Sequence, residues 1–195
     1  MAKCKQCGKS GLFLRVDKRG LCPDCADQRL KALRAFAANP YEGVLVLGKS
    51  TKLNEVSILS AVSDQHKNIV RILTDSAKIM ENTKDPSTFY SRKEIARREF
   101  LALVRLEKID PSLFSSSPAE SYSNFEAVAG DSESKMWARA FEGTVSKIGS
   151  LKTDRAKANA ASKYLEMLDQ YDSKMSPQAV KVVSAHREML RAYLS

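Results

Sequence analysis

Two short segments, Cys4-Lys5-Gln6-Cys7 and Cys22-Pro23-Asp24-Cys25, hold all four cysteines of the chain. Each CxxC pair can direct two sulfurs at one metal ion from a tight turn. Gly8 follows the first pair and suits a knuckle in which a side chain would crowd the backbone. The spacing predicts one Zn²⁺ bound by Cys4, Cys7, Cys22 and Cys25. Because protein fills all four positions, the predicted site is structural and not catalytic.

Two other uses of these cysteines remain open. An iron site of the rubredoxin kind also uses two CxxC units, but there each unit usually lies in a knuckle. A thioredoxin-type redox pair needs one CxxC in a βαβ context, which the sequence lacks. Zinc is the interpretation that the pattern favours.

The residues around the cysteines predict a hairpin followed by a helix. Apolar residues alternate over 12–16, which indicates a strand, and Asp17-Lys18-Arg19-Gly20 indicates a turn before a short return strand at Leu21. Pro23 suits a first helical turn, and apolar residues then recur at helical spacing until Asn39-Pro40 ends the helix.

A knuckle, a hairpin and a second CxxC that opens a helix together resemble the treble-clef zinc finger family over residues 3–38. The segment also resembles the short zinc modules that head many bacterial and phage proteins. The resemblance implies a metal-ligand role for the four cysteines and for no other residue.

Positive charge is concentrated in the same segment. The net charge is +9, and residues 1–38 carry nine Lys or Arg against three Asp. Four thiolates on one Zn²⁺ would lower the resulting +6 to about +4. A compact basic surface predicts an anionic partner, most often nucleic acid. The candidate phosphate-binding residues are Lys3, Lys5, Lys9, Arg15, Lys18, Arg19, Lys31 and Arg34. Phe13 either stacks on a base or covers the small core of the module.

The remainder of the chain predicts a bundle of about five helices, so the expected fold class is mainly α. Apolar residues at helical spacing predict helices over 53–83, 86–109, 133–148, 154–171 and 177–194. Ser176 is the expected N-cap of the last helix. A serine-rich stretch with Pro118 and Gly130 predicts a long loop at 111–132. The expected organisation is a zinc-binding module at 1–39, an apolar connector at 40–52 and a helical domain at 53–195.

The helix at 53–83 carries an apolar stripe wider than a two-helix seam requires, with His66 on it. Burial by the other helices of the same chain is the favoured interpretation, and it gives a monomer. Pairing with a second copy is the alternative. His66 and His186 are both expected to be ordinary core or interface histidines, because neither has metal-binding partners at helical spacing.

The sequence contains none of the GxGxxG, P-loop, GxSxG or HExxH motifs, so we expect a protein that is not an enzyme. No segment is long and apolar enough for a membrane helix, and the apolar run near the start is too short for a signal peptide. We therefore expect a cytoplasmic protein. The run 92–98 is basic and predicts a solvated helix face, with phosphate binding as the alternative.

Taken together, these features predict a non-enzymatic, zinc-containing protein that binds nucleic acid through its basic N-terminal module. It could serve as a bacterial or phage regulator. The alternative is a protein-interaction adaptor or inhibitor in which zinc only stabilises the fold.

Overall fold

The computed structural model describes residues 2–41 and 54–194, and the mainly α prediction is confirmed over them. The elements are β1 (Ala2–Lys3), β2 (Ser10–Gly11), α1 (Pro23–Ala38), α2 (Glu55–Asn82), α3 (Pro86–Ile109), α4 (Pro118–Ser150), α5 (Asp154–Tyr171) and α6 (Pro177–Arg191). Short 3₁₀ turns lie at Pro111–Leu113 and Asp172–Lys174. No helix in the described ranges combines the length and the apolar character needed to cross a membrane.

The N-terminal hairpin lies earlier in the chain than the sequence predicts. Strands β1 and β2 pair antiparallel, with Ala2 opposite Gly11, and they enclose the first cysteine pair. The predicted strand over 12–16 and its return at Leu21 are wrong. Alternating residues form a strand only when a partner strand and a buried face are available, and here Phe13 is 97% exposed. The predicted turn is confirmed, since the Asp17 amide donates to the Leu21 carbonyl and Gly20 has a φ of 81°.

Helix α1 begins and ends where the sequence predicts. Cys22 is its N-cap, Pro23 stands in the first turn, and Asn39 closes it by donating its amide to the Ala35 carbonyl. Leu33 and Phe36 are buried on one face of the helix. The same face also buries Arg29, a residue that the apolar pattern does not mark.

The chain divides into two compact units. The first unit comprises Met1–Arg71 and Arg98–Ala119, and the second comprises Ile72–Arg97 and Glu120–Ser195. Most of the predicted connector at 40–52 lies outside the described residues, so the predicted domain boundaries remain a prediction.

The second unit is built around a continuous apolar core. Its largest fully buried side chains are Trp137, Phe89, Met136, Ile148, Leu168 and Leu190. Aromatic rings meet edge to face at its centre, with the rings of Trp137 and Tyr164 6.4 Å apart. Burial of this much apolar surface, at about 25 cal/mol per Å², is the main force that stabilises this unit.

The serine-rich stretch at 111–132 is not a long loop. A 3₁₀ turn is followed by α4, which begins at Pro118 and continues through the predicted helix at 133–148. Buried or half-buried residues recur along its first turns at helical spacing, among them Tyr122, Phe125 and Ala129. This packing outweighs the low helix propensity of serine and glycine.

Helix α2 shows the predicted seam but a narrower apolar stripe. Val62, Ile69 and Met80 are buried. Val56 is 76% exposed and Val70 is also exposed, so the buried apolar stripe of α2 is narrower than predicted.

Side-chain hydroxyls cap the N-termini of the last two helices. Thr153 accepts from the Ala156 amide and Ser176 from the Ala179 amide, which confirms the predicted cap at Ser176. Helix α6 ends at Arg191, three residues before the predicted end.

Candidate metal centre and basic surface

The four cysteine sulfurs converge on one point, and their spacing fits a Cys4 zinc site. All four Sγ atoms lie within 4.8 Å of one another. The Sγ atoms of Cys7 and Cys22 are 3.8 Å apart. Four sulfurs at tetrahedral positions about 2.3 Å from an ion would be separated by roughly 3.8 Å. The cysteines can therefore hold a metal ion with little rearrangement.

Local backbone geometry places each pair. In the first pair the Cys4 amide donates to the Lys9 carbonyl at 2.8 Å, and the Gly8 amide donates to the Cys4 carbonyl at 3.0 Å. Gly8 has a φ of 72°, a conformation that glycine adopts without strain. Beyond its chain neighbours, a Cβ at Gly8 would meet no atom within 4 Å, so the crowding that the sequence predicts is not seen. In the second pair Cys22 and Cys25 occupy the start of α1, where the helix dipole favours thiolates.

The surroundings of Cys4 and Cys25 shift the pKa values of the two thiols in opposite directions. The backbone amides of Cys7 and Cys22 lower the pKa of Cys4 to about 6. Burial, together with hydrogen bonds to the neighbouring thiols, raises the pKa of Cys25 to about 12. One sulfur is thus ready to ionise, while another ionises only if positive charge is supplied beside it. A divalent metal ion bound among the four sulfurs would supply that charge.

The site is closed. Cys4, Cys22 and Cys25 are buried, and Leu14 and Leu21 pack against them. Within the described ranges this is the one cluster of three or more metal-ligating side chains. All four tetrahedral positions are taken by protein, which suits a metal that holds the fold together.

Ion pairs divide the predicted phosphate-binding residues into two groups. Lys9 pairs with Asp24, Lys31 pairs with Asp27, and Arg19 pairs with Glu55. The second group is beyond ion-pair distance of every carboxylate in the described residues, and it consists of Lys3, Lys5, Arg15, Lys18 and Arg34. All five are exposed. The structure does not test whether any of them binds phosphate.

Arg29 has a structural role in this region that the sequence does not indicate. Its Nε donates to Oδ2 of Asp110 at 2.8 Å, and its Nη1 lies 3.3 Å from the Glu55 carboxylate. Burial opposes ionisation of Asp110, but hydrogen bonds from Ser112 and the Arg29 guanidinium outweigh it and hold the pKa of Asp110 below its usual range. Arg29 therefore links α1 to Asp110 and Glu55 within the first unit, and it contributes little to the basic surface.

The basic run at 92–98 is solvated only in part, since Arg98 is exposed as the sequence predicts but two other cations form ion pairs. Lys93 is buried, and its Nζ lies 2.9 Å from the Glu133 carboxylate. Arg97 forms a bidentate pair with Glu126 at 2.7 and 2.9 Å. Both charges are neutralised by carboxylates of the second unit, which makes these two cations less available to phosphate.

Both histidines lie among aromatic side chains. His186 is buried, stacks on Phe141 with ring centroids 4.0 Å apart, and shares a hydrogen bond with the Tyr164 hydroxyl at 3.2 Å. His66 is half-buried and meets Phe114 edge to face. Neither belongs to a metal-ligand cluster in the described ranges, and the prediction of core or interface histidines is in keeping with these surroundings.

No family model, no curated protein and no solved structure matches this chain. Its function must therefore be inferred from the cysteine cluster and the charges around it. The comparisons add no support for a particular partner.

Proposed function

We propose that the chain is a non-enzymatic zinc protein that binds nucleic acid through its N-terminal module, residues 2–38. The observation that carries the proposal is the group of five exposed cations without a carboxylate partner in the described residues. These are Lys3, Lys5, Arg15, Lys18 and Arg34, and a module folded around one small metal site presents them all. A carboxylate at ion-pair distance would compete with phosphate for such cations.

Zinc is the metal that suits this site best. Four thiolates at tetrahedral spacing bind Zn²⁺ strongly, and a closed Cys4 shell is typical of structural zinc. The first cysteine pair in a hairpin turn and the second at a helix start support a fold of the treble-clef type. Free thiols of this kind persist in a reducing compartment, so we place the protein in the cytoplasm.

Electrostatic contact with the sugar-phosphate backbone would supply most of the affinity. Each phosphate neutralised by Lys or Arg releases counterions, so binding weakens steeply as salt rises. We propose a monomer that acts as a regulator of the kind found in bacteria and phages. A mass near 21.6 kDa by light scattering at micromolar concentration is the expected result for a monomer.

The test compares two charge-reversal variants of equal net charge. Arg15→Glu/Lys18→Glu removes two unpaired cations of the module, and Lys163→Glu/Lys181→Glu removes two exposed cations of α5 and α6. Binding to mixed-sequence DNA and RNA, in single and double strands, is measured by fluorescence anisotropy from about 50 to 200 mM salt. Arg19 is left unchanged because its pair with Glu55 belongs to the fold of the first unit.

We expect the module variant to lower the slope of log affinity against log salt by about 1.4 on single strands, or about 1.8 on duplexes. The α5/α6 variant should bind like wild type. Equal losses in the two variants would mean that only net charge matters, and they would contradict the proposal. Absence of binding by the zinc-loaded wild type at about 50 mM salt would also overturn it.

A second candidate function is that of a protein-interaction adaptor or inhibitor with purely structural zinc. The exposed side chains of Leu12 and Phe13 favour it, since apolar groups on a surface often meet a protein partner. This function would replace the first if the wild-type protein fails to bind nucleic acid.

A further inference from the structure

Leu12 and Phe13 form the most exposed apolar pair in the described part of the chain. They are the central residues of a turn closed by the Leu14 amide and the Gly11 carbonyl, directly after β2. Leu12 is 80% exposed and Phe13 is 97% exposed. We call these two residues the apolar tip. A phenylalanine held almost wholly in water contributes little to folding stability, so its position points to an external ligand.

The Phe13 ring is not among the side chains that pack against the cysteine cluster. The residues that cover the cysteine cluster are Leu14 and Leu21. Phe13 therefore does not cap the small core, which was one of the two roles that the sequence left open. The remaining role is contact with a molecule outside the chain.

The charges beside the tip indicate the chemistry of that molecule. Arg15 follows Phe13 by two residues, a backbone span of at most about 7 Å. Lys18 lies in the next turn, and the Lys5 side chain packs over Gly20 of that turn. These three side chains are exposed cations that lack a carboxylate partner in the described residues. An apolar ring beside unpaired positive charge suits a ligand that combines flat rings with phosphates.

Helix α1 is poorly suited to reading duplex DNA. A recognition helix in the major groove needs an exposed basic or polar face. In α1 Arg29 is buried against Asp110, and Lys31 is paired with Asp27. Arg34 is the one basic residue of α1 that has no such partner in the described ranges. A single exposed aromatic ring can instead stack on a base, which requires that the base be unpaired.

We propose that the apolar tip is a base-stacking site, and that the module prefers single-stranded nucleic acid. Phe13 stacks on an unpaired base, and Leu12 widens the apolar contact. Arg15, Lys18 and Lys5 bind the adjoining phosphates. This inference rests on the proposed function and specifies its ligand.

The experiment uses the zinc-loaded full chain with a labelled mixed-sequence 20-nucleotide single strand and the matching duplex. Phe13→Ala removes the ring, Phe13→Leu keeps an apolar side chain, and Phe13→Trp keeps a stacking ring. Val128→Ala serves as the control, since Val128 is also an exposed apolar residue. Zinc content is measured for each variant to establish that the module is intact.

We expect Phe13→Ala and Phe13→Leu to weaken single-strand binding roughly 5- to 150-fold, the range that corresponds to one lost stacking contact. Phe13→Trp and Val128→Ala should bind within about twofold of wild type. Duplex binding should be weaker than single-strand binding in the wild type and unaffected by the Phe13 variants.

The possible failures separate the two proposals. If the wild type binds nucleic acid but Phe13→Ala binds single strands equally well, the stacking site is wrong and the proposed function stands. A Phe13→Leu variant that keeps full affinity would likewise overturn stacking, because a merely apolar contact would then suffice. If the wild type binds neither probe, the proposed function itself fails and the tip is a protein-docking surface.

Discussion

The N-terminal module and the second unit are stabilised by different forces. The module surrounds four sulfurs, and only Leu14 and Leu21 pack against that cluster. The second unit buries Trp137, Phe89 and many further apolar side chains in one core. A segment of about forty residues buries little apolar surface by itself, so we expect a metal to supply the missing stability. We therefore expect the module to need a metal for its fold and the second unit to need none.

Among the described residues, each unit nevertheless buries one ion pair. In the first unit Arg29 is 7% exposed and Asp110 is 5% exposed. In the second unit the pair is Lys93 with Glu133, and Glu133 also accepts hydrogen bonds from the Tyr90 hydroxyl and the Ser176 amide. Since removal of one partner leaves a buried charge uncompensated, these pairs are sensitive points in both units.

Removal of the metal should have the largest effect on stability. It should unfold the module and leave the second unit folded. Zinc binding to small Cys-rich folds contributes about 10–16 kcal/mol at neutral pH, so chelation should unfold the module. Trp137, the single tryptophan, is fully buried in the second unit, so its fluorescence reports on that unit. We expect its fluorescence to stay unchanged on chelation while the far-UV helix signal falls only in part.

Cys25→Ser should reproduce the effect of chelation, because it removes one of the four ligands. A shift of Trp137 emission in either experiment would show that the second unit also depends on the metal. In that case the module and the second unit would not differ in their dependence on the metal.

Breaking the buried ion pairs should give the next largest effects. Arg29→Met and Lys93→Met each leave a buried carboxylate without its cation, at an expected loss of about 3–5 kcal/mol in the free energy of unfolding. Trp137 fluorescence in urea should detect the Lys93→Met loss, and should not detect the Arg29→Met loss.

The matched control is Arg29→Met/Asp110→Leu, which replaces both charges by apolar side chains. It should recover at least half of the stability lost in Arg29→Met, because no unpaired charge remains. No recovery would mean that Arg29 matters for packing and not for neutralising Asp110.

The smallest expected effect is a pH dependence confined to the second unit. Burial lowers the pKa of His186 below its usual value. The unfolded chain therefore binds the proton more readily, so stability is complete above about pH 6.5 and is lost as the pH falls. The expected loss is up to about 1.4 kcal/mol for each pH unit until the folded-state pKa is reached.

Urea unfolding followed by Trp137 at pH 7.5 and 5.5 measures this loss. In His186→Gln the difference between the two pH values should largely disappear. If the variant keeps the wild-type pH dependence, another group in the second unit is responsible.

Local patterns explain which parts of the fold the sequence could predict. The cluster of four cysteines follows from two CxxC units, the bounds of α1 and α3 follow from apolar periodicity with Pro or Asn at the ends, and those of α5 follow from apolar periodicity alone. Each of these signals lies within a few residues of the feature that it predicts.

Predictions from the sequence were wrong where contacts between residues far apart in the chain determine the local structure. Arg29 and Asp110 are 81 residues apart, and nothing near either one indicates the pair. The first half of α4 is rich in serine, but packing and the Arg97–Glu126 ion pair stabilise it as a helix. The alternation over 12–16 has the period of a strand, yet no strand pairs with it in the described residues.

X-ray absorption at the zinc edge, combined with elemental analysis, tests the central claim most directly. The expected result is one zinc per chain, with four sulfur ligands at about 2.3 Å and no nitrogen or oxygen ligand. Protein purified without added metal that holds iron in place of zinc, or holds no metal while remaining folded at the N-terminus, would contradict the account.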